Sequence, residues 1–331
     1  AKIMGGLSMP WSYIINPIRY KMELLKESAK YQLLPPATLD KRKVLVVLII
    51  GESARKANFS LYGYDRETNP ELRESNITVL KNTMATTTYT TASINSMFSH
   101  TGSTSSSYEP LPSYLHRKGV YVVWRANNWG APKIKVNTFE KAGELEKSCQ
   151  LENCKYDEVL LTGLLDRVKS SKSNKIFMVL HTKGSHGPTY YKRYPQRFEA
   201  FKPACKTVDL KECTNQELIN AYDNTICYTD YFISQTIKKL EQVKDRPVLM
   251  IYISDHGESL GEKNLYLHGT PYIIAPNVQK EIPFIIWKSN DFKGNVEELE
   301  KYGHENIFHT ILGALGVDSS VYNKELDILK Q

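Results

Sequence analysis

Asp255, His256, Glu258 and His268 fall within one glycine-rich stretch, Ser254-Asp-His-Gly-Glu-Ser-Leu-Gly-Glu-Lys-Asn-Leu-Tyr-Leu-His-Gly269. A carboxylate beside an imidazole offers hard oxygen and borderline nitrogen donors, a set suited to zinc. Taken alone, the Asp-His pair equally fits a helix-capping Asp next to a surface His. The added carboxylate and imidazole in the same stretch favour the metal reading, and other parts of the chain supply matching groups. Glu52 lies in Gly51-Glu-Ser-Ala-Arg55, and His181 and His186 lie in His181-Thr-Lys-Gly-Ser-His-Gly-Pro188. Thr90 is the next-to-last residue of the threonine-rich run Thr83–Thr91, a place where a hydroxyl nucleophile could sit.

Each of these groups follows an expected strand. Val248–Ile253, bounded by Pro247, reads as a buried strand, and Asp255 and His256 stand at its carboxyl end. Lys43–Ile50 is a near-continuous β-branched run, the pattern of a strand covered on both faces, and Glu52 stands at its tip. Lys175–Leu180 leads to His186, and Val120–Trp124 leads to Arg125-Ala-Asn-Asn-Trp129, polar and aromatic groups suited to substrate contact. The β-prone Thr83–Thr91 run enters a helix over Ala92–Ser99. Free N–H groups at such a junction can hold an anion, although a simple Thr N-cap fits equally.

Further elements are expected at Ile77–Val79 and Pro283–Trp287 (strands) and at Tyr114–Lys118, Val159–Val168 and Glu305–Leu315 (helices). Thr214 and Glu217 form a capping box for a helix whose stripe, Ile219, Tyr222, Ile226, Ile233, Ile237 and Leu240, belongs to the core. Alternating strands and helices give an α/β fold: a doubly wound, mainly parallel sheet with helices on both faces. Glu52, His186, Asp255 and His256 then converge on one sheet edge, where such folds place ligands.

The totals set the compartment and the class. At 331 residues and 41% hydrophobic the chain can bury a large core, and no apolar run approaches the length of a membrane span. A net charge of +7, spread along the chain, favours an anionic neighbour such as a membrane surface or a phosphorylated substrate, and no nucleic-acid motif is present. Cys149/Cys154 and Cys205/Cys213 are close pairs in polar segments and suit short disulfide loops, which belong to an oxidising space; Cys227 is left over. Residues 1–42, with Trp11, Tyr13, Ile14, Ile15, Ile18 and Tyr20 among basic residues, fit either an amphipathic stretch near a membrane or a linker packed on the domain.

Taken together, Ile50-Gly-Glu52-Ser-Ala-Arg, Thr90 ahead of Ser96-Met-Phe-Ser99, Trp124-Arg-Ala-Asn-Asn128, His181-x-x-Gly-Ser-His186-Gly-Pro, the 254–269 stretch and His304-Glu-Asn-Ile-Phe-His-Thr-Ile-Leu312 resemble the phosphoethanolamine transferases of the alkaline phosphatase superfamily. The resemblance covers nearly all of 43–317. It implies an alkaline phosphatase/sulfatase-like fold, with residues 1–42 as a membrane-proximal linker and 43–331 as the catalytic domain. It also implies a zinc ion held by Glu52, Thr90, Asp255 and His256, with Thr90 as nucleophile. Asn128, His186, Glu258 and His268 match positions that bind substrate or further zinc, and Lys133 sits one place from a family lysine. Glu258 is expected to meet an ethanolamine ammonium. His304 and His309 match structural positions.

The implied reaction takes phosphoethanolamine from phosphatidylethanolamine to lipid A, another envelope sugar or a protein. The implied setting is the periplasmic face of an inner membrane, with a monomer as the working unit. Two departures stand out. Where many relatives bracket the nucleophile with cysteines, this chain has Thr86 and Ser96, and Thr91 follows Thr90 where Ala is common. A phosphatase-type hydrolase and a non-catalytic envelope-binding domain are the alternatives. The Cys/Ser-x-Pro-x-Arg pattern of sulfatase nucleophiles is missing around Thr90.

Overall fold

The computed structural model describes residues 31–105, 107–129 and 131–330. The aromatic and basic stretch from Trp11 to Lys26 lies outside the described residues. Seven strands form the central sheet: β1 (Val44–Gly51), β2 (Ile77–Val79), β3 (Tyr121–Ala126), β4 (Thr138–Lys141), β5 (Lys175–His181), β6 (Val248–Ser254) and β7 (Phe284–Lys288). Their order across the sheet is β2-β7-β6-β1-β5-β3-β4. All neighbouring pairs from β6 through β4 are parallel, and β7 runs antiparallel to both β6 and β2.

Five helices cover the sheet: α1 (Thr90–Met97), α2 (Leu111–Arg117), α3 (Leu164–Ser170), α4 (Asn215–Leu240) and α5 (Glu305–Ala314). Strand β1 shows why its sequence is apolar at every position. Val44, Val46, Leu48 and Ile50 pack with Ile94 and Met97 of α1, Leu115 of α2 and Ile311 of α5. Leu45, Val47 and Ile49 pack on the other face with Val168 of α3 and Tyr222, Ile226 and Ile233 of α4. Alternate side chains point to opposite faces, so a strand between two helical layers has no solvent side.

Three expectations are corrected locally. The run from Thr83 to Thr91 is a strand only at Thr83–Met84, which pairs with Tyr302–Gly303. Thr90 is already the first residue of α1, and Tyr89 is its N-cap. The helix expected over Val159–Val168 is two pieces, a 3-10 turn at Asp157–Leu161 and then α3. Between them Gly163 adopts φ 55°, a left-handed conformation that interrupts the ladder. The Thr214–Glu217 capping box forms as read, and α4 buries Tyr222, Ile226, Ile233, Ile237 and Leu240.

Both short cysteine pairs are bridged, Cys149–Cys154 and Cys205–Cys213, and Cys227 is free. Upstream of β1, Ala37–Leu39 pairs with Val317–Ser319, and Leu34 joins the core, so this part of the leading segment packs on the domain. Among the described residues no helix is long and apolar enough to cross a membrane.

Candidate active site and metal centre

The carboxyl ends of β1, β5 and β6 and the first turn of α1 meet at one point. The β1 and β6 tips are locked in register with each other: Asp255 N–H donates to Gly51 O at 2.9 Å, and Ser53 N–H donates to Asp255 Oδ1 at 3.0 Å. Two glycines permit this closeness. A Cβ on Gly184, which has φ 46°, would stand 2.7 Å from the Glu52 carbonyl oxygen, and one on Gly257 would stand 1.9 Å from the Val278 carbonyl oxygen.

At the centre lie Glu52, Asp255 and His256, all fully buried or nearly so. Thr90 Oγ1 is 3.1 Å from Glu52 Oε2 and 3.3 Å from His256 Nε2. The neighbouring Thr91 side chain is exposed. Asn128 Nδ2 donates to Glu52 Oε2 at 2.6 Å, and Ser53 Oγ donates to Oε1 at 2.8 Å. His256 donates through Nδ1 to the Gly257 carbonyl at 2.9 Å, which leaves the Nε2 lone pair facing Asp255 Oδ2 at 3.3 Å and Glu52 Oε1 at 3.5 Å. Asp255 Oδ2 is buried and has no hydrogen-bond partner.

The electrostatics follow from this crowding. Burial, and then the charge of Glu52, hold the Asp255 carboxyl well above the usual carboxylate range. Burial also pushes Glu52 upward, but the neighbouring His256 and His186 and the Ser53 hydroxyl outweigh it and hold Glu52 at about 2. Burial drives His256 down to about 4 against the pull of Glu52, so it is neutral at pH 7. The Glu52 carboxylate, an Asp255 carboxyl that ionises only with difficulty and an imidazole lone pair thus converge without a positive charge among them. A divalent cation would supply that charge, and an orphaned carboxylate oxygen buried among such donors is how a metal ligand presents itself.

Next to this group stand His186, Glu258 and His268. The His268 ring lies 4.3 Å from that of His256 and 5.5 Å from that of His186, centroid to centroid. His186 donates through Nδ1 to the Gly187 carbonyl at 2.7 Å, and His268 donates through Nδ1 to Glu258 Oε2 at 2.7 Å. Among the described residues, ligand atoms within 4.8 Å of one another form three groups: Glu52–Asp255–His256, Glu52–His186–His268 and His256–Glu258–His268. Glu258 is fully buried rather than solvated, and its other oxygen accepts from Tyr190 Oη at 2.7 Å. A substrate ammonium therefore does not find this carboxylate free. Burial tends to lower the pKa of His268, but the bond and charge of Glu258 prevail and raise it. Lys133 is exposed on the loop between β3 and β4.

Two supporting residues, Tyr222 and Asp157, were not assigned to the site from sequence. Tyr222, read only as core, donates its hydroxyl to Ser53 O at 2.6 Å and accepts from Arg55 N–H at 2.9 Å, bracing the β1 tip from α4. Asp157 accepts from Lys183 N–H, Gly184 N–H and Asn127 Nδ2, joining the β3 and β5 tips. His181, buried with neither ring nitrogen bonded, is pushed down to about 4 by burial against the pull of Glu52. Periodicity marks Tyr222 as apolar core and carries no trace of where its hydroxyl ends. His304 accepts from Thr86 N–H at 3.2 Å and donates to Ser254 O at 3.0 Å. His309 accepts from Asn323 N–H and donates to His100 O.

Residues 45–317 match the sulfatase family. The chain is 42% identical over its whole length to phosphoethanolamine transferase EptA of Helicobacter pylori, of which it covers 65%. It superposes on the integral membrane lipooligosaccharide phosphoethanolamine transferase A (EptA) of Neisseria meningitidis with a TM-score of 0.85 at 32% identity, covering 97% of this chain and 65% of that one. On the C-terminal periplasmic domain of phosphoethanolamine transferase EptC from Campylobacter jejuni the TM-score is 0.80 at 37% identity, covering 90% of this chain and 97% of that one. The chain belongs to the sulfatase family, on its phosphoethanolamine transferase branch. It spans just under two thirds of the length of its full-length EptA relative, 65% of the H. pylori protein.

Proposed function

We propose that this chain is the catalytic part of a zinc-dependent phosphoethanolamine transferase on the periplasmic face of an inner membrane. It would take phosphoethanolamine from phosphatidylethanolamine and pass it through Thr90 to an envelope acceptor such as lipid A. One observation carries the reading: the Thr90 hydroxyl stands within 3.3 Å of Glu52 and His256, beside the unpartnered Asp255 Oδ2. Two bridged cysteine pairs support an oxidising compartment.

Two carboxylates, one imidazole Nε2 and one hydroxyl suit a tetrahedral zinc ion. Zinc bound by Glu52, Asp255, His256 and Thr90 would lower the hydroxyl pKa and offset the charge on the phosphoryl oxygens. The chain supplies the rest. Glu52 Oε2 accepts the Thr90 proton as Oγ1 attacks phosphorus in line. The N–H groups in the first turn of α1, which no cap side chain accepts, would be available to the phosphoryl oxygens. The bond from phosphorus to the diacylglycerol oxygen breaks, and His268, whose proton affinity Glu258 raises, protonates that oxygen. An acceptor oxygen then attacks phosphorus and gives its proton to His268, and as the bond to Thr90 breaks Oγ1 takes its proton back from Glu52 Oε2.

Peptide mass spectrometry after incubation with phosphatidylethanolamine and no acceptor tests this. A phosphoethanolamine adduct is expected on Thr90 in the wild type, a weaker one in Thr90→Ser and none in Thr90→Ala. An adduct on Thr91, or acceptor modification by Thr90→Ala at the wild-type rate, would overturn the assignment. Free phosphoethanolamine formed faster than modified acceptor would favour the hydrolase alternative.

A further inference from the structure

Large apolar side chains are exposed at few places, and most of those places border the catalytic centre. Among the described residues there are eight such side chains: Leu33, Tyr89, Trp129, Phe139, Val208, Tyr272, Ile273 and Ile274. Five of them sit on the loops that carry the site. Tyr89 immediately precedes Thr90, Trp129 immediately follows Asn128, and Tyr272–Ile274 follow His268 in the same loop. Trp129 is 90% exposed, Ile273 96% and Ile274 70%.

These loops are fastened to one another. Gly269 N–H donates to Thr88 O at 2.8 Å, and Thr88 Oγ1 donates to Thr270 O at 2.6 Å, which ties the Tyr272–Ile274 loop to the Tyr89 loop. Trp129 N–H donates to Asn128 Oδ1 at 2.7 Å, and Asn128 in turn bonds Glu52. The loops that bear the apolar tips are thus bonded to one another and to the Glu52 side of the Thr90 centre. Isolated exposed apolar residues need no explanation, but five on the three loops that carry Thr90, Asn128 and His268 mark an interaction surface.

The composition of this surface identifies the partner. It presents Trp and Tyr beside Ile, the side chains that favour the boundary between lipid headgroups and acyl chains, rather than a continuous aliphatic groove fit for a helix. Positive charge flanks it. Lys155, Lys183, Lys192 and Arg193 line a cavity of about 60 Å³ beside the β3 and β5 tips together with Asn127, Tyr156 and the single carboxylate of Asp157, and Lys280 lies 5.3 Å over the Tyr272 ring. Ammonium and guanidinium groups around an apolar tip complement a layer of lipid phosphates.

We propose that Tyr89, Trp129, Tyr272, Ile273 and Ile274 form a rim that enters the headgroup layer of a lipid bilayer and holds the Thr90 centre at the level of the lipid phosphates. The choice of a bilayer as partner rests in part on the transferase reading, in which the donor is a lipid. The geometry of the rim stands apart from that reading.

Trp129 is the reporter. The full chain is mixed with vesicles of phosphatidylethanolamine and phosphatidylglycerol, and emission is compared with that of Trp129→Phe, so that the difference isolates this residue. The Trp129 component is expected to shift to the blue and to be quenched by lipids brominated near the top of the acyl chain. Ile273→Asp/Ile274→Asp is expected to weaken vesicle sedimentation about tenfold, while Val208→Asp, on the Cys205–Cys213 loop, leaves it unchanged. The high exposure of the isoleucines spares the fold, which circular dichroism checks.

A Trp129 emission that vesicles leave unchanged overturns the proposal, as does wild-type sedimentation of the double variant. A Trp129 already blue-shifted without vesicles would mean that another part of the chain, such as residues 1–30, covers the rim. A dimer that the double variant dissolves would mean that a second copy does. Both results overturn the proposal. No step depends on turnover, so loss of this inference leaves the Thr90 adduct test standing, and failure of that test leaves vesicle binding standing.

Discussion

Thr86 Oγ1 and Ser96 Oγ lie 2.9 Å apart, so a hydroxyl pair joins the two positions that the family resemblance matches with bracketing cysteines. Ser96 also donates to Gly102 O at 2.8 Å. The loop before Thr90 is therefore tied to α1 by a bond worth about 1 kcal/mol rather than by a covalent link.

The spacing predicts that Thr86→Cys/Ser96→Cys will oxidise to a disulfide. Closing so short a loop should add about 2–3 kcal/mol of stability. Thiol titration and urea unfolding with and without reductant would check it. Two titratable thiols in the oxidised native protein would show that the positions cannot be bridged.

Removing a central carboxylate should cost the metal before it costs the fold. Asp255→Ala is expected to reduce zinc retained after dialysis at least about tenfold, because it deletes the orphaned Oδ2 along with Oδ1. Elemental analysis beside circular dichroism reads both. Full zinc retention in the variant would remove Asp255 from the ligand set.

His304 links the β6 tip to the nucleophile loop through Ser254 O and Thr86 N–H. His304→Ala leaves buried backbone groups without partners and opens a cavity, so a loss of roughly 2–4 kcal/mol is expected. Urea midpoints measure it, and transfer should slow more than zinc retention falls. A variant as stable as the wild type would show that these bonds contribute nothing net.

Asp230 on α4 accepts N–H bonds from Glu71 and Leu72, and burial pushes its carboxyl up to about 7. A carboxyl whose native pKa lies above its unfolded value of 3.8 binds its proton more tightly when folded. The stability this contributes is fully present below 3.8 and is lost as pH rises through 7. Wild type should therefore lose roughly 1–3 kcal/mol more than Asp230→Asn between pH 5 and pH 8 in urea titrations. Parallel pH profiles would argue against it.

Local pattern in the sequence determined the scaffold. Uninterrupted apolar runs at Val44–Ile50, Ile176–Leu180 and Val248–Ile253 read as strands covered on both faces, because each alternate side chain needs an apolar layer. Parallel strands all point the same way, so Glu52, His186, Asp255 and His256 had to reach one edge. The close cysteine spacings and the Thr214–Glu217 box were legible for the same reason, since their partners lie within one loop or turn.

What the sequence could not decide depends on groups brought together from far apart. Thr90 and Thr91 are chemically alike, and only the helical start at Thr90 turns one hydroxyl to Glu52 and leaves the other in solvent. Glu258 was expected to meet a substrate ammonium, whereas its two oxygens are already engaged by Tyr190 and His268. Tyr222 counted as core, yet its hydroxyl reaches Ser53 across 169 residues of chain. Hydrophobic periodicity reports which face is buried, whereas the partner of a buried polar atom is fixed by the packing of whole elements, so these bonds emerged only from the tertiary structure.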